Sequence, residues 1–128
     1  MIVAGIGFRR SAEAGEIVTL VDQALERATL SRGALTELAT IKALADLPAF
    51  AEAARRLAVS AIAVAECDVS ATSPRIRTQS ARSIAAHGVG SVAEAAALAA
   101  AGPRAELVLA RIASSSVTCA LARLETSA

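Results

Sequence analysis

The run Ile2-Val3-Ala4-Gly5-Ile6-Gly7-Phe8 contains no polar side chain and is followed directly by Arg9 and Arg10. An apolar segment of that length, interrupted only by glycines, reads as a buried strand opening into a turn. A buried strand needs covering elements, and the pattern that follows supplies them. From Glu13 to Ala28 the residues Ile17, Leu20, Val21, Ala24, Leu25 and Ala28 recur at three and four, which predicts an amphipathic helix with Ser11 as its N-cap. Leu35 to Ile41 reads as a second strand and Val59 to Ala65 as a third. Between them, Asp46 and Pro48 start a short helix whose buried face is Phe50, Ala53, Ala54 and Leu57.

The stretch Cys67 to Arg77 shows no period and holds Ser70, Ser73 and Pro74, so an exposed connection is expected there. A short helix is expected to run through Ala86. The glycines around Val89 then interrupt it, and Ser91 with Glu94 forms the S-x-x-E capping box of a further helix, which Gly102 and Pro103 end. Two strand-like runs, Glu106 to Ile112 and Val117 to Leu124, are joined by Ala113 and three serines, a link short enough for an antiparallel hairpin. The whole order predicts one three-layer α/β/α domain over 1–128, with a mixed, mostly parallel sheet of about five strands and a C-terminal antiparallel hairpin.

Composition narrows what such a domain can do. The chain has 128 residues and no Trp or Tyr, so its core is aliphatic with alanine-rich helix faces, which lets helices approach a sheet closely. Thirteen basic residues against twelve acidic ones leave a net charge of +1, too little for a broad field around a nucleic acid. No uninterrupted apolar stretch reaches the roughly 20 residues that span a bilayer, and the N-terminus lacks a signal-peptide pattern, so a cytoplasmic protein is expected. Cys67 and Cys119 form no CxxC pair and are expected to remain thiols. The pattern calls for no metal and no cofactor.

Candidate chemistry is concentrated in a few places. Gly5-Ile6-Gly7-Phe8-Arg9-Arg10-Ser11 runs from a strand end through two guanidinium groups toward a helix start, an arrangement suited to carboxylate or phosphate. It is not a dinucleotide fingerprint, since Arg10 stands where the third glycine belongs; a tight turn with two solvated arginines explains the same residues without a ligand. Gly88-Val89-Gly90-Ser91 brings backbone amides to another helix start, although the capping box accounts for Ser91 and Glu94 unaided. Lys42, the sole lysine, follows the second strand at the carboxyl end where open α/β sheets bind ligands, or is simply solvated. His87, the sole histidine, is a candidate general base or a polar loop residue. Thr78, Ser80 and Ser114 to Ser116 are candidate donors to a carboxylated ligand, with capping and turn roles as the alternative.

The order of these motifs resembles the CobE/CbiG C-terminal family of cobalamin biosynthesis. The resemblance rests on G-x-G-x-R-R at Gly5 to Arg10, on Ala39-Thr40-Ile41-Lys42, on Thr78-Gln79-Ser80, and on Gly88-Val89-Gly90-Ser91-Val92-Ala93-Glu94-Ala95-Ala96-Ala97-Leu98. It spans nearly the whole chain. The family commonly has Thr-Pro-Ser where this chain has Thr78-Gln79-Ser80, so the rigid proline turn is missing. Longer members carry additional N-terminal regions and are linked to opening the ring-fused lactone of a cobalt-precorrin with loss of acetaldehyde. This chain has no room for those regions and looks like the stand-alone form associated with the aerobic route.

The resemblance implies a corrinoid or precorrin intermediate as ligand, a flat macrocycle bordered by acetate and propionate groups. Gly5, Gly7, Arg9, Arg10, Lys42, Thr78, Ser80, Gly88, Gly90 and Ser91 are the residues expected to meet it. Two other roles compete with simple binding. One is hydrolysis of a precorrin lactone or acyl group, with His87, Glu94 or a lysine-activated water as base; the other is a non-catalytic subunit for neighbouring corrin-pathway enzymes.

Overall fold

The computed structural model describes residues 1–87 and 90–124. Strand β1 (Ile2–Phe8) leads into helix α1 (Ala14–Arg27), and a 3₁₀ turn (Arg32–Ala34) leads into β2 (Leu35–Ile41). Helices α2 (Lys42–Ala45) and α3 (Pro48–Leu57) precede β3 (Ser60–Val64). Helix α4 (Glu66–Ala71), a second 3₁₀ turn (Ser73–Arg75), α5 (Ala81–His87) and α6 (Val92–Ala101) follow, and the hairpin of β4 (Glu106–Ala113) and β5 (Val117–Arg123) completes the order.

The sheet order β3-β2-β1-β5-β4 places the apolar first strand at the centre, with all of its residues buried. β1 pairs parallel with β2, and β2 with β3, while β5 runs antiparallel between β1 and β4. The sheet is therefore mixed, with two parallel and two antiparallel ladders. Alternation along β1 divides the core between its two faces. Ile2, Ala4, Ile6 and Phe8 join the cluster beneath α1 and α3, where Phe8 stacks on Phe50 at 6.4 Å between ring centroids. Val3 joins the opposite cluster, made largely by the alanines of α6.

Glycine makes that second face possible. A Cβ on Gly5 would lie 2.1 Å from the Ala93 carbonyl oxygen and 2.4 Å from the Ala97 nitrogen. The α6 backbone thus rests directly on the β1 backbone, an approach that any side chain at this position would block. Threonine hydroxyls support the neighbouring strand: Thr40 Oγ1 donates to the Ile6 carbonyl at 2.8 Å, and Thr36 Oγ1 to the Ile2 carbonyl, also at 2.8 Å, where the β1–β2 register slips.

Two local expectations need correction. Helix α1 begins after Glu13, which makes no side-chain capping bond, so Ser11 is not its cap. Strand β2 ends at Ile41 as expected, and Lys42 after it opens the short helix α2. The segment expected as an exposed connection is docked: Val69 and Ile76 are buried in the α6-side cluster, Thr72 Oγ1 donates to the Val69 carbonyl at 2.6 Å, and Arg75 Nη1 donates to the Ala105 carbonyl at 2.9 Å. One buried residue in a six-residue helix is too little to display a period. Both cysteines are free thiols, Cys67 exposed and Cys119 buried. No helix among the described residues is long and apolar enough to cross a membrane.

The close β1–α6 contact is directly testable. Gly5→Ala is expected to destabilise the fold by about 3 kcal/mol, because the methyl group meets backbone atoms that cannot rotate away. Gly15→Ala in α1, whose added Cβ would have only Arg56 Nη1 nearby at 3.8 Å, is the control. It should stay within about 1 kcal/mol of the parent, on the stabilising side. Denaturant unfolding of both variants reads the difference.

Candidate functional site

The carboxyl ends of the parallel strands, the start of α6 and the β4–β5 turn come together at one edge of the sheet. The Arg9 N–H donates to the Ser116 carbonyl at 3.0 Å and ties the hairpin turn to the end of β1. A cleft of about 500 Å³ opens there. Phe8, Leu44, Ala86, Val92 and Val117 give it an apolar surface, and Gly7 leaves its floor clear. The guanidinium-bearing residues Arg9, Arg82 and Arg111 surround it, together with hydroxyls from Ser80, Ser83, the turn serines and Thr118.

Among the described residues, no Asp or Glu lines this cleft. Arg9 and Arg82 are exposed and Arg111 is half-buried. Several hydroxyls are already engaged: Ser116 Oγ donates to Glu16, Thr118 Oγ1 donates to the Gly7 carbonyl at 3.3 Å, and Ser80 Oγ accepts from the Ser83 N–H at the start of α5. Ser83 Oγ is different, being buried with no partner among the described residues. A second cleft of about 510 Å³ lies alongside, lined by Lys42 and Glu66 among apolar residues, and Ala86 of α5 borders both.

Glu94 stands behind the first cleft. It is fully buried, yet its carboxylate reaches three parts of the chain. Oε1 accepts from the Arg77 N–H at 2.7 Å and the Thr78 N–H at 3.0 Å; Oε2 accepts from Thr78 Oγ1 at 2.5 Å and the Arg111 N–H at 2.9 Å. Burial pushes its carboxyl upward, but the hydrogen bonds from Arg111, Thr78 and Arg77 outweigh that and hold it below its ordinary value of 4.5. Both oxygens are thus committed to donors, which removes Glu94 as the base of a hydrolytic mechanism. Only half of the expected capping box forms: Ser91 Oγ accepts from the Glu94 N–H at 3.2 Å, while the Glu94 side chain turns to the neighbouring segments.

The residues singled out from sequence separate into groups. Gly7, Arg9 and Ser80 line the first cleft and Lys42 the second. Gly5 lies under α6, so its absent side chain serves helix packing rather than an open loop. Thr78 belongs to the Glu94 network. Gly90 is packed against Thr78 and Gln79, where a Cβ would fall 2.3 Å from Gln79 Oε1, and its carbonyl accepts from the Ser80 N–H at 2.9 Å. Ser91 is buried as the α6 cap. Arg10 is exposed and lines neither cleft. Gly88 lies outside the described residues, and His87 closes α5.

Arg82, Ser83 and Arg111 were not anticipated. A usable signal existed for Arg111 and Glu94, each a charged residue in the middle of an otherwise apolar run. Arg82 and Ser83 sit in a short helix of ordinary surface composition and carry no such mark. Among the described residues, no group of three His, Cys, Asp or Glu is placed to hold a metal ion.

Fold and cleft together define a class: an α/β/α protein of mixed sheet with a cation-lined, hydroxyl-rich cleft at the carboxyl edge of its parallel strands. Residues 2–122 match the family model described as cobalamin synthesis G C-terminus. The chain belongs to that family. It is 36% identical over 121 residues to Protein CobE from Sinorhizobium sp, covering 94% of this chain and 79% of that protein. The crystal structure of CobE, a protein from the cobalamin (vitamin B12) biosynthetic pathway, superimposes with a TM-score of 0.92 at 34% identity, covering 100% of this chain and 93% of that one. Cobalamin biosynthesis protein chiG from Agrobacterium tumefaciens gives a TM-score of 0.71 at 36% identity over 95% of this chain and 97% of its own. A cobalamin biosynthesis protein G homologue from Sulfolobus solfataricus gives 0.73 at 28% identity over 94% of this chain but only 36% of its own.

The Glu94 network sets a pH dependence. A carboxylate held below its ordinary value contributes stability that is present above the unfolded-state value and lost as pH falls through the folded-state value. Glu94→Gln is therefore expected to cost about 1 to 3 kcal/mol at pH 7, where an amide meets donors it cannot all satisfy. The gap between variant and parent should narrow as pH falls below 4.5 and Glu94 of the parent becomes protonated. Urea unfolding at pH 7 and pH 3 measures both quantities.

Proposed function

We propose that the first cleft binds a carboxylate-rich corrinoid or precorrin intermediate, and that the protein holds or delivers this intermediate within cobalamin biosynthesis. The observation that carries this reading is a cleft bordered by three arginines and six hydroxyl residues, with no acidic residue among the described ones, over an apolar surface. A tetrapyrrole-derived ring with acetate and propionate substituents has the complementary form. Its face suits Phe8, Leu44, Val92 and Val117, and its rim suits guanidinium groups, which pair with carboxylates through two parallel hydrogen bonds.

Lys42, in the adjoining cleft, offers a further cation to a ligand too large for one cleft. The longer Sulfolobus homologue, of which this chain covers 36%, supports delivery to neighbouring corrin-pathway enzymes as part of the role. The free thiols suit the reducing cytoplasm. Binding without turnover is preferred to hydrolysis because Glu94 is fully engaged by donors.

A visible-absorption titration with corrin-ring acids and a precorrin-type intermediate tests the proposal. The parent should shift the spectrum without forming product, and its affinity should fall as salt is raised. Arg111→Ala should weaken binding by roughly 10- to 100-fold, the loss expected for a partly buried charge-assisted hydrogen bond. Arg9→Ala should have a smaller effect because Arg9 is more exposed. No spectral response from the parent would sink the binding role, and conversion of the added intermediate would replace it with an enzymatic one.

A further inference from the structure

The two cationic walls of the cleft belong to different parts of the chain. Arg82 lies on α5, entered from the Arg77–Ser80 segment, whereas Arg111 lies on β4. Helix α5 has little packing of its own to fix it: Ala81, Arg82, Ile84, Ala85 and Ala86 are all exposed, and Ile84 is 48% exposed despite being apolar. Its entry is nevertheless fixed, because Arg77 and Thr78 donate three hydrogen bonds to Glu94, and the Ser80 N–H donates to Gly90. The same carboxylate receives the backbone N–H of Arg111.

We propose that Glu94 is a positioning residue that sets the separation of Arg82 and Arg111, so that the two guanidinium groups meet two carboxylates of one rigid polyacid. Glu94 does not touch the ligand. One oxygen is shared by the two backbone N–H groups leading to α5, the other by Thr78 Oγ1 and the β4 backbone, so the two walls move together or not at all. Ser83, whose Oγ is buried without a partner among the described residues, lines the cleft on the α5 wall beside Arg82. The predicted specificity is for free peripheral carboxylates over their amides, since an amide forfeits the paired charges while keeping the shape.

This inference rests on the binding role proposed above, and its test separates the two. Cyanide-ligated cobyrinic acid, a corrin polycarboxylic acid, and cobinamide, a corrin whose peripheral carboxylates are amides, are titrated against the parent, Glu94→Gln, Thr78→Val and Arg82→Ala, with circular dichroism checking that each variant is folded. The parent should prefer the acid. Glu94→Gln and Thr78→Val should lower the acid affinity by about tenfold and reduce the acid-to-amide preference by the same factor, leaving cobinamide binding unchanged. In Glu94→Gln, adding Arg82→Ala should cost less than it does in the parent, because the guanidinium has already lost its aim.

Full retention of the acid preference in a folded Glu94→Gln or Thr78→Val protein would overturn the positioning role. Hydrogen exchange without ligand provides a second reading that holds even if Glu94→Gln does not fold. In Thr78→Val, the amides of residues 81–86 should exchange faster while those of α6 stay unchanged; equal protection of residues 81–86 in variant and parent would also overturn it. If the parent binds neither corrin, the binding role itself fails, and the exchange experiment still decides whether Glu94 holds the two walls.

Discussion

Helix α6 lies so close to strand β1 that a single methyl group at Gly5 would collide with the Ala93 carbonyl oxygen and the Ala97 nitrogen. Dispersion energy falls steeply with a gap of even half an ångström, so backbone-to-backbone contact lets small alanine side chains fill a core without large residues. The same contact fixes the height and direction of α6 over the sheet. Val92 therefore reaches the carboxyl edge of β1, where it lines the cleft, and Glu94 in the same first turn faces β4 and the segment before α5. A side chain at Gly5 would lift the helix and shift both at once.

A fully buried carboxylate is tolerable only where its desolvation cost is met by hydrogen bonds. Glu94 meets that condition with four donors, three of them backbone N–H groups that would otherwise be left without a partner. Deployment of the arginines follows a related division. Arg32 pairs with Asp22, and Arg55 and Arg56 with Glu52, in exposed ion pairs of the kind worth about 0 to 1 kcal/mol. Arg75 and Arg77 donate to main-chain carbonyls near the start of β4. Arg9, Arg82 and Arg111 face the cleft with no acidic residue in its lining. A chain with a net charge of +1 thus builds a locally cationic site by placing its carboxylates elsewhere.

Much of this architecture was legible because its signals are local and repeated. The apolar run of β1, the three-and-four spacing of α1 and the short serine link of the hairpin each state one element, and their order states the layers. Helices α2 and α4 escaped detection because each is too short for a period to register, and Ser11 satisfied the compositional rule for a cap while the chain entered the helix two residues later. The site was harder to read. Glycine serves both a loop that admits an anion and a strand that admits a helix, and sequence alone does not tell Gly7, at the cleft, from Gly5, beneath α6. Ser91 and Glu94 fitted a capping box so well that the motif hid the more consequential half, the carboxylate turned toward Arg111.

That misdirected carboxylate also bears on what kind of protein this is. A general base needs a lone pair open to substrate and a proton affinity near working pH. Glu94 has neither: its oxygens are covered by donors, and those donors lower its proton affinity. What it supplies instead is rigidity, joining the α5 entry to β4 across the start of α6. Rigidity has value in a binding cleft because a preorganised site loses less conformational freedom when a rigid macrocycle arrives. Arginines on loosely held elements would pair with almost any anion; under the proposed positioning role, arginines on two walls joined through a common buried carboxylate would discriminate between polyacids by the spacing of their charges.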